Sequence, residues 1–350
     1  MKVLSASEAV WPALLRTYSY LFRPFKVETF LKLATIATIS EGFVVSVRYL
    51  VPSALPFELD LPAWKAFLLA PAFLPVTVLG AMALFLAGIY CVFLATRVRF
   101  GFFHCLIHQT RNLRPAMSLY TQEADRFFSA CMLVWLSLMA LAALAVALFA
   151  VAAYGVYATP TPDGKFDLGH FFLLFVPCFL IAVALLLSIC FAQVVLNDFI
   201  LPHMAIEGAT FKRAWAAVRA QINANRETFF SYFILRLGMP LLLGLVLGFT
   251  AWLLGLVVFG VLGMSAGGFT AMLDGTSDFR AYLLVVEQVV FLLLGLGAGF
   301  VLTVSFSGPI GVFMRSYALF FYGGHYKALG NLLEPPTPES VALERLGEIS

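Results

Sequence analysis

The sequence predicts an all-α integral membrane protein with six transmembrane helices and amphipathic interfacial helices on the cytoplasmic side. Two observations of composition and one of pattern carry this. The 350 residues are 62% hydrophobic. Only 12% are charged, against about 25% in an ordinary soluble domain. Long apolar runs lie near 28–51, 68–95, 127–157, 170–200, 229–261 and 284–306. Each is long enough for the roughly 20 residues that a span needs. The runs have almost no polar face, which argues against a buried soluble core.

Orientation follows from charge distribution rather than from the net charge of +3. With both termini inside, the inner segments hold 17 of the 22 Lys and Arg, while the three outer loops hold only Lys65, Lys165 and Arg280. That asymmetry is a positive-inside signal, and it places both termini in the cytoplasm with the chain multi-pass in the inner (plasma) membrane. The outer loops carry Glu58, Asp60, Asp163, Asp167, Asp274 and Asp278 instead. The start, MKVLSASEAV, has no apolar core of signal-peptide type, so no cleavage is expected.

Taken in order, Ser5 and Glu8 fit a capping box. Val10, Trp11, Leu14, Leu15, Tyr18, Leu21 and Phe22 then recur at helical spacing, as in a helix lying flat on the inner leaflet. Pro12 predicts a kink or a later start. The first span carries Glu41 and Arg48. The second has Pro71 and Pro75 near its outer end. Residues 97–114 read as a further surface helix or a pair of short ones. YATPTPDGKFDLG is a turn-rich outer loop between the third and fourth spans.

After the fourth span, Phe211, Trp215, Val218 and Ile222 form one stripe, with Lys212 and Arg219 flanking it and Arg213 opposite. This reads either as a connector packed on its own bundle or as a sensor of anionic lipid. The last apolar region runs from Tyr282 to Tyr322. As one helix it would be about 60 Å long, twice the roughly 30 Å hydrocarbon core. A break is therefore expected at Ser307-Gly308-Pro309, with GVFMRSYALFFY along the inner interface. Residues 1–330 make the membrane domain, and 331–350 a mobile cytoplasmic tail. Phe127-Phe128-Ser129 matches Phe229-Phe230-Ser231 at an offset of 102, and Trp11 matches Trp215 at 204. A surface helix plus a two-span hairpin, used three times, would produce these offsets.

The stretches LFRPFKVETFLKLATIATISEGF, DFILPHMAIEG, FKRAWAAVRAQINANRETFFSYFIL and GPIGVFMRSYALFFYG resemble a broad family of uncharacterised prokaryotic membrane proteins. That family is similar to the membrane domain attached to some glycerophosphodiester phosphodiesterases. The resemblance implies a six-span inner-membrane protein and transfers no catalytic residue. The phosphodiesterase chemistry belongs to a separate soluble barrel for which this chain has no room.

The candidate sites fall into three groups. Within the spans, Glu41, Arg48, Asp198, Arg236 and Glu287 form either a polar pathway or helix-locking ion pairs, since a charge at mid-bilayer is costly unless it is paired or wet. Locking is favoured, with Arg48 and Glu287 at similar depth as one pair. At the interface, Arg97, Arg99, His104, His108, Arg111, Arg114, Lys212, Arg213, Arg219 and Arg315 could meet lipid headgroups. His104 and His108 share a helix face at zinc-ligand spacing but lack a third ligand. Gly244 and Gly248, like Gly295 and Gly299, are GxxxG pairs that let helices approach closely, within the bundle or in a homodimer. The five cysteines form no CxxC pair. No nucleotide loop, nucleophile–base pair or paired catalytic carboxylate is present, so neither enzymatic activity, cofactor, metal nor nucleic acid is expected. The expected function is a membrane scaffold or accessory subunit binding lipid or a partner protein. The alternative is a transporter of a lipid or small amphiphile.

Overall fold

A computed structural model describes residues 3–41, 74–158, 168–272 and 278–334. Their regular structure is entirely helical. In chain order the helices are α1 (Val10–Phe22), α2 (Val27–Glu41), α3 (Leu74–His108), α4 (Leu113–Leu119), α5 (Thr121–Ala158) and α6 (Leu168–Val194). A π-helical turn, Val195–Ile200, continues α6 into α7 (Leu201–Glu207). Then come α8 (Phe211–Ala224), α9 (Arg226–Met272), α10 (Asp278–His325) and α11 (Lys327–Leu333).

Five stretches are long and apolar enough to cross a membrane: Pro75–His108, Thr121–Val151, Phe175–Glu207, Arg226–Val261 and Val289–His325. The expected first span is described only as far as Glu41. Over that part α2 packs Leu33, Ala34, Ile36, Ala37 and Ser40 inward.

The long helices each have two halves. In one half the side chains are apolar and uncovered: Leu84 on α3, Leu133 on α5, Leu180 on α6, Leu241 on α9 and Leu293 on α10 are all 60–76% exposed. In the other half the same helices enter a packed base with α1, α2, α4, α7, α8 and α11. Phe100, Phe102, Phe103, Phe127, Ile200, Tyr232, Tyr317 and Tyr322 lie in this base with at most 1% exposure. Covering such rings is the main stabilising term available to a helical assembly.

This division corrects two expectations. Residues 97–108 are not a separate surface helix, because α3 runs through them, its Phe residues entering the core. Nor does the chain break at Ser307-Gly308-Pro309. α10 is one helix of 48 residues, about 72 Å long at 1.5 Å per residue. Its second half, expected along the interface, is buried from Val312 to Tyr322. Pro309 removes one backbone donor, but Gly308 and Gly311 make the segment a close crossing with α2. A Cβ on Gly308 would lie 2.6 Å from the Ala34 Cα, and one on Gly311 would lie 3.1 Å from the Ala37 carbonyl oxygen. The Thr38 and Ser307 hydroxyls meet across this crossing at 2.8 Å.

The capping box forms: the Ser5 amide donates to Glu8 Oε2 at 2.8 Å, and the Glu8 amide donates to Ser5 Oγ at 3.3 Å. α1 turns Ala13, Thr17, Tyr20 and Leu21 into the base. Of the expected stripe, Trp11, Leu14, Leu15 and Tyr18 remain exposed. On α8, Val218 is buried, Phe211 and Ile222 pack against the core, and Trp215 is 41% exposed. Ala214, which the stripe omits, is buried. Lys212, Arg213 and Arg219 are exposed. Residues 331–333, expected to begin the tail, still belong to α11. The rest of the tail from 335 lies outside the described residues.

Candidate functional site

The site grows from a defect in one helix. Pro202 has no N–H to donate, so a regular helix through it would leave the Asp198 carbonyl without its backbone donor. The chain widens instead into the π turn Val195–Ile200, and the Leu201 amide donates to the Leu196 carbonyl. The Asn197 carbonyl is then free of its α-helical donor, and Arg315 Nη1 on α10 donates to it at 2.7 Å. Such turns concentrate at functional positions. This one aims Asn197 and Asp198 at three other helices.

Asp198 is 1% exposed and holds the centre. Its Oδ2 accepts from Arg236 Nε at 2.7 Å and from the Tyr232 hydroxyl at 2.8 Å. Its Oδ1 accepts from Arg236 Nη2 at 3.3 Å and has Arg315 Nη1 at 3.6 Å. Arg236 Nη2 also donates to Glu41 Oε2 at 3.0 Å. Glu41 and Arg236 side chains are each 9% exposed. The network therefore ties α2, the π turn, α9 and α10 together. The Tyr232 ring stacks on Tyr317 and Phe321 of α10, with centroids 5.1 and 4.2 Å away. The Arg236–Asp198 pair is buried, where charge-assisted bonds are strongest.

Three of the five expected intramembrane charges, Glu41, Asp198 and Arg236, thus come together. Arg48 and the Glu287 side chain lie outside the described residues, and so does the pair expected between them. Arg315, expected at the interface, is 2% exposed. Its guanidinium carbon is 5.8 Å from the Phe103 ring centroid, and its Nε and Nη2 have no hydrogen-bond partner among the described residues. This corrects its assignment as a headgroup contact. Arg99, half-buried on α3, extends the cluster: its Nε donates to the Ser40 carbonyl at 2.6 Å and its Nη1 to Asn197 Oδ1 at 3.2 Å.

The other expected interface residues divide by role. Arg97 pairs with Asp125 at 3.1 Å and lies 4.5 Å from the Phe93 ring centroid. Arg111 donates to the Tyr20 and Arg23 carbonyls at the end of α1, at 3.3 and 2.5 Å. Arg16 reciprocates by donating to the Leu106 and Ile107 carbonyls near the end of α3, both at 2.8 Å. Each arginine thus satisfies carbonyls at a helix terminus that have no partner within the helix. Burial lowers the Arg16 pKa from its ordinary value. His104 Nδ1 is 3.0 Å from the Tyr120 hydroxyl, and its ring is 4.3 Å from that of the exposed His108. Among the described residues, no group of three or more His, Cys, Asp and Glu converges as a metal site. Arg114 is exposed.

The glycine pairs differ. Gly295 and Gly299 pack on the Phe259 ring of α9: a Cβ added to them would lie 3.4 and 3.7 Å from its nearest ring atom. Among the described residues, Gly244 and Gly248 have nothing within 4 Å, so packing against those residues does not explain that pair.

A second polar cluster escaped the sequence reading. His203, 3% exposed, has Nε2 2.8 Å from the Tyr322 hydroxyl. The Tyr326 hydroxyl donates to Glu207 Oε1 at 2.6 Å. Burial, followed by the Glu207 carboxylate, raises the Tyr326 pKa. His203 and Glu207 are one helical turn apart beside the noted Asp198, which was the available signal.

One crevice touches the cluster. It encloses about 220 Å³ between α3, α5 and the end of α6, with Arg99, Thr96, Gln193 and Asn197 at its polar end and Val92, Phe128, Met132 and Trp135 among its apolar walls. A larger gap of about 390 Å³ between α9 and α10 is lined by Val257, Val258, Val261, Leu294 and Ala298. It is wholly apolar and carries no chemistry.

Packed base, uncovered apolar helices and a buried charge cluster together define a multi-pass all-α membrane protein. The profile of the "Family of unknown function (DUF7544)" matches residues 4–332, and the chain belongs to that family. No curated protein and no solved structure matches the chain.

Proposed function

We propose that the protein is a non-enzymatic scaffold or accessory subunit of the inner membrane that binds lipid or a partner protein. One observation carries the reading: Glu41, Asp198 and Arg236 are used on one another within the base, their side chains at most 9% exposed. Neither the Arg99 crevice nor the α9–α10 gap is lined by Glu41 or Arg236. A transport pathway needs polar groups facing water or substrate, whereas these hold four elements in register. The uncovered apolar flanks are the surface such a subunit offers to lipid or to another chain.

The finer architecture belongs to the same proposal. Six spans place both termini in the cytoplasm, with the base on the side rich in Lys and Arg. α1 and α8 lie along the inner interface, the exposed Trp11, Leu14, Leu15 and Tyr18 reaching lipid. Phe127 and Phe229 are buried near the starts of α5 and α9, as a hairpin repeat requires. A C-terminal tag should be reached by label only in opened cells. Labelling in intact cells overturns the orientation.

The alternative, carriage of a lipid or small amphiphile, is favoured by the crevice at Arg99. Native mass spectrometry of the protein extracted with its lipids separates the two readings when paired with vesicle transfer assays. The scaffold reading expects a retained lipid or protein partner and no transfer. Transfer of lipid between leaflets contradicts it.

A further inference from the structure

We infer that the crevice at Arg99 is a binding site for one acidic phospholipid, with the anionic head at Arg99 and Asn197 and an acyl chain along Val92, Met132 and Trp135. This rests on the lipid-binding reading and gives it a place and a headgroup class.

Position is the first argument. The crevice lies where the long helices change from uncovered to buried. On α3, Val92 is 51% exposed and Thr96 is 3% exposed. On α5 the change falls between the buried Phe127 and the 71% exposed Leu133. On α6 it falls between the 45% exposed Phe191 and the buried Val194 and Val195. A crevice at that level has its polar end at headgroup depth and its apolar end against the acyl region.

Charge is the second. Among the described residues, the joined cluster holds two carboxylates, Glu41 and Asp198, and three guanidiniums, Arg99, Arg236 and Arg315. One guanidinium is in excess. An uncompensated cation away from water is costly, and a single anion balances it. Arg236 and Arg315 are closed inside the base, so the crevice side of Arg99 is where such an anion can approach. Arg99 uses Nε and Nη1 on Ser40 and Asn197, and among the described residues no acceptor meets its Nη2. A phosphate oxygen there would receive a charge-assisted bond. Thr96 and Gln193 add hydrogen-bonding groups to the polar end of the lining.

Trp135 reports on the walls. The chain has five tryptophans, and replacing Trp11, Trp64, Trp215 and Trp252 by Phe leaves Trp135 alone. This protein is reconstituted in vesicles doped with phosphatidylglycerol brominated on its chains or, at equal mole fraction, with brominated phosphatidylcholine. The acidic lipid should quench Trp135 more strongly. Arg99→Gln should weaken its apparent affinity about tenfold, the scale of a lost charge-assisted bond. Val92→Phe, which fills the crevice and keeps every charge, should remove the preference as well. That second variant keeps the test decisive if Arg99→Gln fails to fold. Equal quenching by the two lipids, or a preference that survives Val92→Phe in folded protein, overturns the assignment. Loss of the preference on adding inorganic phosphate overturns the lipid as occupant in favour of a free anion. Lipid retained in native mass spectra without a preference at Trp135 overturns the crevice alone. No retained lipid and no preference overturn the lipid-binding reading too.

Discussion

The two halves of this molecule solve different problems with the same helices. In the base, α10 is closed from Val312 to Tyr322 by rings, by the α2 crossing and by Asp198 and its partners. In the span half, the most apolar windows of the five long stretches are only 0–17% buried. Among the described residues, the base supplies its own cover, whereas the span halves cover little of one another. Position therefore decides what a residue does here more than its type does. Arg315 and Arg213 are both arginines of expected interface segments, yet one is sealed in the base and the other is exposed.

The comparison breaks most readily at Asp198. Asp198→Ala would leave the buried Arg315 guanidinium without its carboxylate and Arg236 with Glu41 alone, and should cost about 3–5 kcal/mol. Reversible unfolding in mixed micelles, or loss of folded yield, reads this. A cost near zero would mean that water reaches the cluster. Gly308→Leu comes next, because even its first carbon meets Ala34. Overpacking there should cost about 1–3 kcal/mol in the same assay. The matched change in the span half is Gly244→Ala, where nothing among the described residues lies within 4 Å. Stability should hold or rise by up to about 1 kcal/mol, the usual gain of Ala over Gly in a helix. A clear loss would show that something other than the described residues covers that face.

The span half was legible in the sequence because hydropathy needs no partner to be read. The apolar runs near 127–157, 170–200 and 229–261, and the run near 68–95 from residue 74 on, fall on described long helices. The base was less legible, since its pattern depends on which segments meet. GVFMRSYALFFY reads as an interfacial strip when α2 is out of sight. Its burial follows from the crossing of Gly308 and Gly311 with Ala34 and Ala37, from the Tyr232 ring on Tyr317 and Phe321, and from the Arg315 contacts with the π turn. Glu41, Asp198 and Arg236 stood out by their cost in an apolar setting. Their mutual pairing depends on the π turn, whose local signal was Pro202 following Asn197-Asp198. Tyr232 and His203 were hidden for a different reason: buried Tyr and His look ordinary until a carboxylate or hydroxyl is seen opposite them.

The central claim is that the charges near the membrane lock the base. Glu41 and Arg236 test it most directly, because they join α2 to α9 across 195 positions of sequence. Glu41→Gln, Arg236→Gln and the double variant are unfolded reversibly in mixed micelles and compared as a cycle. A lock predicts a favourable coupling of about 1 kcal/mol or more, within the range for residues of one buried network. Effects that add to within about 0.3–0.5 kcal/mol, as for independent sites, would contradict it.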